Sequence, residues 1–243
     1  MTRRPSGPKP AAAVLALGIF VAVAGAREAV PASTVAVPLA TMETTLDSLM
    51  QSAVFLRLGV EHILTGVDHL LFVLGLLLIV RGWRMLLKTI TAFTVAHSIT
   101  LAIATLGWAS APTAPLNAAI ALSILFLGPE MVRARKGETS LAIEHPWAVA
   151  FAFGLLHGFG FASGLVTLGL PRSELLPALL FFNVGVEVGQ LFFVGIVLLL
   201  VRSFRLLEIR WPRWAGWFPA YLVGSLGAFW TLQRTVMMFT DLR

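Results

Sequence analysis

Six long apolar runs dominate this chain, at roughly residues 54–80, 86–107, 114–131, 147–168, 177–200 and 215–238. A helix rising 1.5 Å per residue crosses a hydrocarbon core about 30 Å thick in about 20 residues, so each run can span a bilayer. Strands of a membrane barrel would be shorter and would alternate apolar with polar residues, which these runs do not. Inside lipid every backbone N–H and C=O must bond within the protein, so the runs predict an all-α, six-transmembrane-helix bundle. Composition agrees, with 58% hydrophobic and 12% charged residues, where a soluble domain carries about 25% charged. This balance excludes a soluble globular enzyme, a disordered chain and a coiled coil. The chain has no cysteine, which excludes disulfides, thiolate metal sites and a cysteine nucleophile.

The net charge is +6, but the basic residues fall in short clusters between apolar runs and form no stripe with interleaved aromatics, so no nucleic-acid partner is expected. Arg81, Arg84 and Lys88 lie between the first two runs, Arg133, Arg135 and Lys136 between the third and fourth, and Arg202, Arg205, Arg210 and Arg213 between the fifth and sixth. The second-to-third connection has no basic residue and the fourth-to-fifth has only Arg172. The positive-inside rule places the three basic loops in the cytoplasm and both mature termini outside. The start of the chain agrees: Arg3, Arg4 and Lys9 precede an apolar stretch from Ala11 to Ala26 that ends in Ala24-Gly25-Ala26. This pattern reads as a signal peptide over residues 1–26, with a retained signal anchor as the alternative. Residues 27–51 read as an exported linker and 52–243 as the membrane domain. Small-residue pairs (Gly154 with Gly158, Gly160 with Gly164, Gly185 with Gly189) predict close helix packing; a homo-oligomer stays open.

Ionisable residues within the runs carry the functional information. Asp68 and His69 sit near the middle of the first run, His97 of the second, His157 of the fourth and Glu187 of the fifth. Placing charge at that depth costs about 2.5–3.5 kcal/mol per group even on the lenient insertion scale, so these groups should face the interior and find one another. On the second run, Thr94, His97 and Ser98 share a face. On the fifth, Asn183, Glu187 and Gln190 do the same. Thr94, Ser98, Asn183 and Gln190 are placed to hydrogen-bond ligating imidazoles. His62 lies seven residues before His69, about 10 Å along a straight helix, so it is expected to be a separate outer station that cannot share an ion with His69. Glu61 beside it reads equally as part of that station or as an interfacial charge in water. Four of the five histidines lie in apolar runs, and His145 reads as an ordinary loop residue.

Imidazole and carboxylate without sulfur suit a borderline divalent ion such as nickel, cobalt, zinc or copper(II). None of the seven methionines falls at a run's midpoint, which argues against a thioether path for copper(I). A permease needs a site that strips water from the ion and still releases it, and protonation of imidazole weakens its grip on metal. Two other classes use similar parts: an intramembrane zinc hydrolase built on the same histidines with Asp68 and Ser98, and a haem protein with two axial histidines. The haem reading leaves Asp68 and Glu187 unexplained.

The stretch His62-Ile-Leu-Thr-Gly66-Val-Asp68-His69 resembles the first-helix motif of the HupE/UreJ family. Phe93-Thr-Val-Ala-His97-Ser98-Ile-Thr-Leu101, Phe153-Gly-Leu-Leu-His157-Gly-Phe-Gly-Phe-Ala162 and Phe182-Asn-Val-Gly-Val-Glu187-Val-Gly-Gln190 are similar to later motifs of its second branch. The resemblance covers about residues 52–200, and the sixth run more weakly. It implies a small multi-span bacterial membrane protein of the kind associated with hydrogenase and urease gene clusters and regarded as a nickel or cobalt permease. It further implies that His62, Asp68 and His69 match the motif implicated in nickel passage, with His97, His157 and Glu187 at the later motif positions. Ile63 stands where the hydrogenase-linked branch usually has a proline, which would favour a kink.

Overall fold

Helix is the only regular structure that the described residues form. The computed structural model describes residues 39–166, 172–207 and 212–240. Its helices are α1 (Leu39–Thr65), α2 (Val67–Ile79), α3 (Trp83–Thr105), α4 (Thr113–Lys136), the single-turn α5 (Leu141–Glu144), α6 (Pro146–Val166), α7 (Arg172–Leu206) and α8 (Phe218–Thr240), with a 3-10 turn at Arg213–Gly216. By contacts the chain divides after residue 47, and residues 48–243 form one compact unit. The signal segment lies outside the described residues. α1 begins within the stretch that reads as a linker.

α3, α4 and the Glu174–Phe204 part of α7 are long and apolar enough to cross a membrane, and α1 with α2 makes a fourth such span if the bent pair counts as one. The apolar part of α6, Pro146–Phe161, is shorter, and α8 does not meet the same measure. Along α7, Leu180, Val184, Val188, Leu191 and Phe192 are all exposed on one stripe, as expected for a face that meets lipid rather than water.

The first apolar run is where the structure departs most from the sequence reading. It is not one straight helix: α1 and α2 meet at an angle of 74° across Gly66. Gly66 adopts φ −79° and ψ 90°, outside the helical region. Its N–H still bonds the His62 carbonyl (3.1 Å) and its own carbonyl accepts from Leu70 (3.0 Å), so the break loses little backbone bonding. The turn comes without proline, and Ile63 is fully buried in the core between α1 and α7.

Glycines bring the helices of this unit close. A methyl at Gly59 would stand 2.0 Å from the Phe182 carbonyl oxygen, and one at Gly185 2.1 Å from that of Leu56, so α1 and α7 pack backbone to backbone. Gly154 and Gly158 do the same for α6 against α3, and Gly128 with Gly227 for α4 against α8. A methyl at Gly189 would meet Val60 and Ile63, and one at Gly160 would meet Ile120. At the basic end of α4, Gly137 (φ 78°) ends the helix: its N–H bonds Ala134, and Glu138 N–H bonds Arg133. Glycine takes this left-handed geometry without strain.

The main core joins α2, α4 and α8 through Leu71, Phe72, Leu76, Ile124, Leu127, Met131 and Val223, with Phe93 of α3 and Ala150 of α6. A second core holds α1 to α7 and α3 through Phe55, Ile63, Leu101, Leu179, Phe182 and Val186. The histidines lie where the two cores adjoin.

Candidate metal site

The bend at Gly66 brings His62, near the end of α1, next to His69, in the first turn of α2. Their ring centroids are 4.7 Å apart. The expectation that His62 is a separate station is therefore corrected; the estimate of its distance assumed a straight helix. The turn requires glycine there, because a methyl would lie 2.8 Å from both the His62 carbonyl oxygen and His69 Nδ1.

His97 comes from α3, with its ring 6.0 Å from that of His62 and 6.3 Å from that of His69. His62, His69 and His97 each offer a nitrogen, and the three lie within 4.8 Å of one another. His157 arrives from α6, 4.9 Å from His69 between ring centroids. His69, His97 and His157 are buried. Nε2 of His62, His69 and His97 and Nδ1 of His157 are buried without a hydrogen-bond partner. A buried polar atom left unbonded is costly, and three of these four rings are the ones whose nitrogens lie within 4.8 Å of one another.

The partners of two rings fix which nitrogen carries the proton. His97 Nδ1 lies 3.1 Å from Asn183 Oδ1, and the Asn183 amide N–H₂ is turned away to the Leu179 carbonyl (2.7 Å). An oxygen acceptor requires His97 Nδ1 to be the donor, which leaves the lone pair on Nε2. His157 repeats the logic. Ser123 spends its hydroxyl proton on the Ile120 carbonyl (2.6 Å) and so accepts from His157 Nε2 (3.1 Å), leaving the lone pair on Nδ1. In both rings the nitrogen with the lone pair is the one without a partner, and outer hydrogen bonds of this kind orient metal-binding histidines.

Aromatic rings wall the group. Phe161 and Phe182 stack at 4.8 Å, and Phe161 lies 4.1 Å from His62. Phe72 and Phe93 each lie 5.3 Å from His157.

The two carboxylates do not join the imidazoles. Asp68 accepts from Arg234 at 2.7 Å, both side chains being 24% exposed, and Arg234 also bonds the Asn117 carbonyl at 3.1 Å. Glu187 accepts from Thr91 at 2.6 Å. Asp68 is diverted because Arg234, a lone cation in the sixth apolar run, needs an anion more than a neutral imidazole does. Of the four residues expected to support the ligands, Asn183 bonds a histidine. Thr94 donates to Gln190 (3.0 Å), and Ser98 donates to the Thr94 carbonyl (2.7 Å). Glu61 pairs with exposed Arg57 at 2.6 Å, which fits the interfacial reading. His145 is an exposed loop residue, as expected.

Ser123 and Arg234 were not foreseen. Ser123 is one hydroxyl in an apolar run and carries no signal alone. Arg234 did carry one, since a charge in such a run demands a partner. Removing Arg234 alone (Arg234→Ala) is expected to cost about 2 kcal/mol, below the range for a fully buried pair because both groups are partly exposed. The double variant Asp68→Asn/Arg234→Gln should cost less, and thermal unfolding in detergent checks the order.

A family model described as HupE / UreJ protein matches residues 39–234 of the chain. No match was found among curated proteins or among solved structures. The matched region includes every residue of the imidazole group and reaches Arg234, well beyond the four motifs that carry the resemblance in sequence. The chain belongs to the HupE / UreJ protein family, a transporter-type family associated with nickel and cobalt uptake.

Proposed function

We propose that this protein is a permease that passes a divalent transition metal, nickel first and cobalt second, across the bacterial inner membrane through the four-histidine group. The observation that carries the reading is the set of three nitrogens within 4.8 Å of one another, each on a ring with a buried, unbonded nitrogen. His62, His69 and His97 hold the ion and His157 offers a further nitrogen beside His69. All-nitrogen ligation suits nickel, cobalt, zinc and copper(II) over magnesium or calcium. Neutral ligands also leave the ion's charge uncompensated, which keeps the site from holding it too tightly to release.

Six crossings, with the basic loops in the cytoplasm, place His62 toward the outer side. Asp68, paired with Arg234, and Glu187, bonded to Thr91, stay outside the ligand set. The hydrolase alternative loses support from the same geometry. Ser98 is committed to a backbone carbonyl, and among the described residues no carboxylate joins the grouped imidazoles to serve as a general base.

The test is accumulation of nickel, cobalt, zinc and copper in cells that express the protein, against cells that carry the empty vector. Selective accumulation of nickel, with cobalt as the competing ion, is the expected result. Equal accumulation with and without the protein for all four metals would overturn the proposal.

A further inference from the structure

A second cluster of charge lies at the end of the bundle that carries the basic loops. The end of α2, the end of α4 and the start of α8 enclose a cavity of about 240 Å³, lined by Arg81, Arg135, Met131, Gly216 and Ala220 among others. Arg133 and Lys136 nearby have acidic partners in Glu130 and Glu138. Among the described residues, Arg81 and Arg135 have no carboxylate within 4.0 Å. Arg81 spends one N–H on the Ala134 carbonyl at 3.3 Å, and a guanidinium has five. The Arg135 guanidinium lies over Trp217 at 5.1 Å and against Gly216, where a methyl would stand 1.8 Å from its terminal nitrogen. Trp214, Phe218 and Tyr221, interleaved in sequence with Gly216, Pro219 and Ala220, are exposed and line a second cavity with Lys136 and Trp217. Tryptophan and tyrosine gather at headgroup depth, and basic pockets between spans at that depth take anionic headgroups.

We propose that this cavity binds a phosphate-bearing anion between Arg81 and Arg135, supplied by the headgroup of an anionic phospholipid. Two guanidiniums with spare paired donors match phosphate oxygens, the aromatic rim matches the glycerol region, and the apolar wall of Met131 and Ala220 matches the start of an acyl chain. The site is separate from the imidazole group and its ligand is not the metal.

The experiment measures binding of phosphatidylglycerol, phosphatidylcholine and inorganic phosphate to the purified full chain in neutral detergent by native mass spectrometry. The expected result is retention of phosphatidylglycerol over phosphatidylcholine, weakened about tenfold or more in Arg81→Gln/Arg135→Gln. Arg84→Gln, which removes an equal charge from a residue outside the cavity lining, should keep the preference. Gly216→Ala removes no charge but displaces the Arg135 guanidinium, and should also weaken binding. Inorganic phosphate that binds at these arginines while both lipids bind alike would keep the phosphate site and reject the lipid as its source. Equal retention of phosphatidylglycerol by wild type and the double arginine variant, or equal loss in Arg84→Gln, would overturn the site. No metal enters the measurement, so its failure leaves the permease reading standing.

Discussion

His69→Ala is expected to abolish nickel accumulation, lowering it by about 100-fold or more, beyond the 10- to 100-fold that loss of an outer hydrogen-bond partner costs a metal site. His69 is the ring on which the others converge, 4.7 Å from His62, 4.9 Å from His157 and 6.3 Å from His97. Its removal takes away one of the three grouped nitrogens and leaves His62 and His97 with ring centroids 6.0 Å apart. His145→Ala, at an exposed loop position, should leave accumulation unchanged and serves as the control. Accumulation assays normalised to the amount of protein in the membrane separate lost binding from lost folding. Wild-type uptake by His69→Ala would remove the imidazole group from the transport path.

Gly158→Val is expected to have the largest effect on folding. A Cβ at this position would meet Thr100 Oγ1 at 2.1 Å and the His97 carbonyl oxygen at 2.3 Å. The second contact is with backbone, so no rotamer change relieves it, and α3 and α6 must separate. Overpacking of a core costs about 1–3 kcal/mol where side chains can yield, and more is expected here. The same separation would pull His157 away from His97. Gly195→Ala provides the contrast, because nothing lies within 4 Å of its added methyl, and alanine is the better helix former. Thermal unfolding in detergent should show a steep loss for Gly158→Val and none for Gly195→Ala. Equal midpoints for the two would refute the close approach of α3 and α6.

Much of this arrangement was legible in the sequence, for identifiable reasons. The apolar runs predict helices because lipid leaves the backbone no other partner, and helices fall on all six. His69, His97 and His157 were expected to meet because imidazoles are expensive to leave among apolar side chains, and the rings of His97 and His157 lie 6.3 and 4.9 Å from that of His69. The turn at Gly66 was not legible. A glycine within a helical pattern is usually tolerated, and only the rings on either side, pressed against the space where its side chain would be, reveal that it breaks the helix. The fate of Asp68 was hidden for a different reason: Arg234 is far away in sequence, and periodicity does not say which helices become neighbours. Ser123 could be recognised only once His157 was known to lack an acceptor nearer by.

The Gly66 turn also sets how the site can respond to motion. His62 rides on α1, which is clamped to α7 through Gly59 and Gly185. His69 rides on α2, which is seated on α4 and α8. Gly66 joins these two helices, so any sliding of α1 against α2 would appear first as a change in the gap between two nitrogens. Under the proposed function, such a displacement would change how many of the three nitrogens an ion could reach at once, so passage of the ion would report on the helix packing around it.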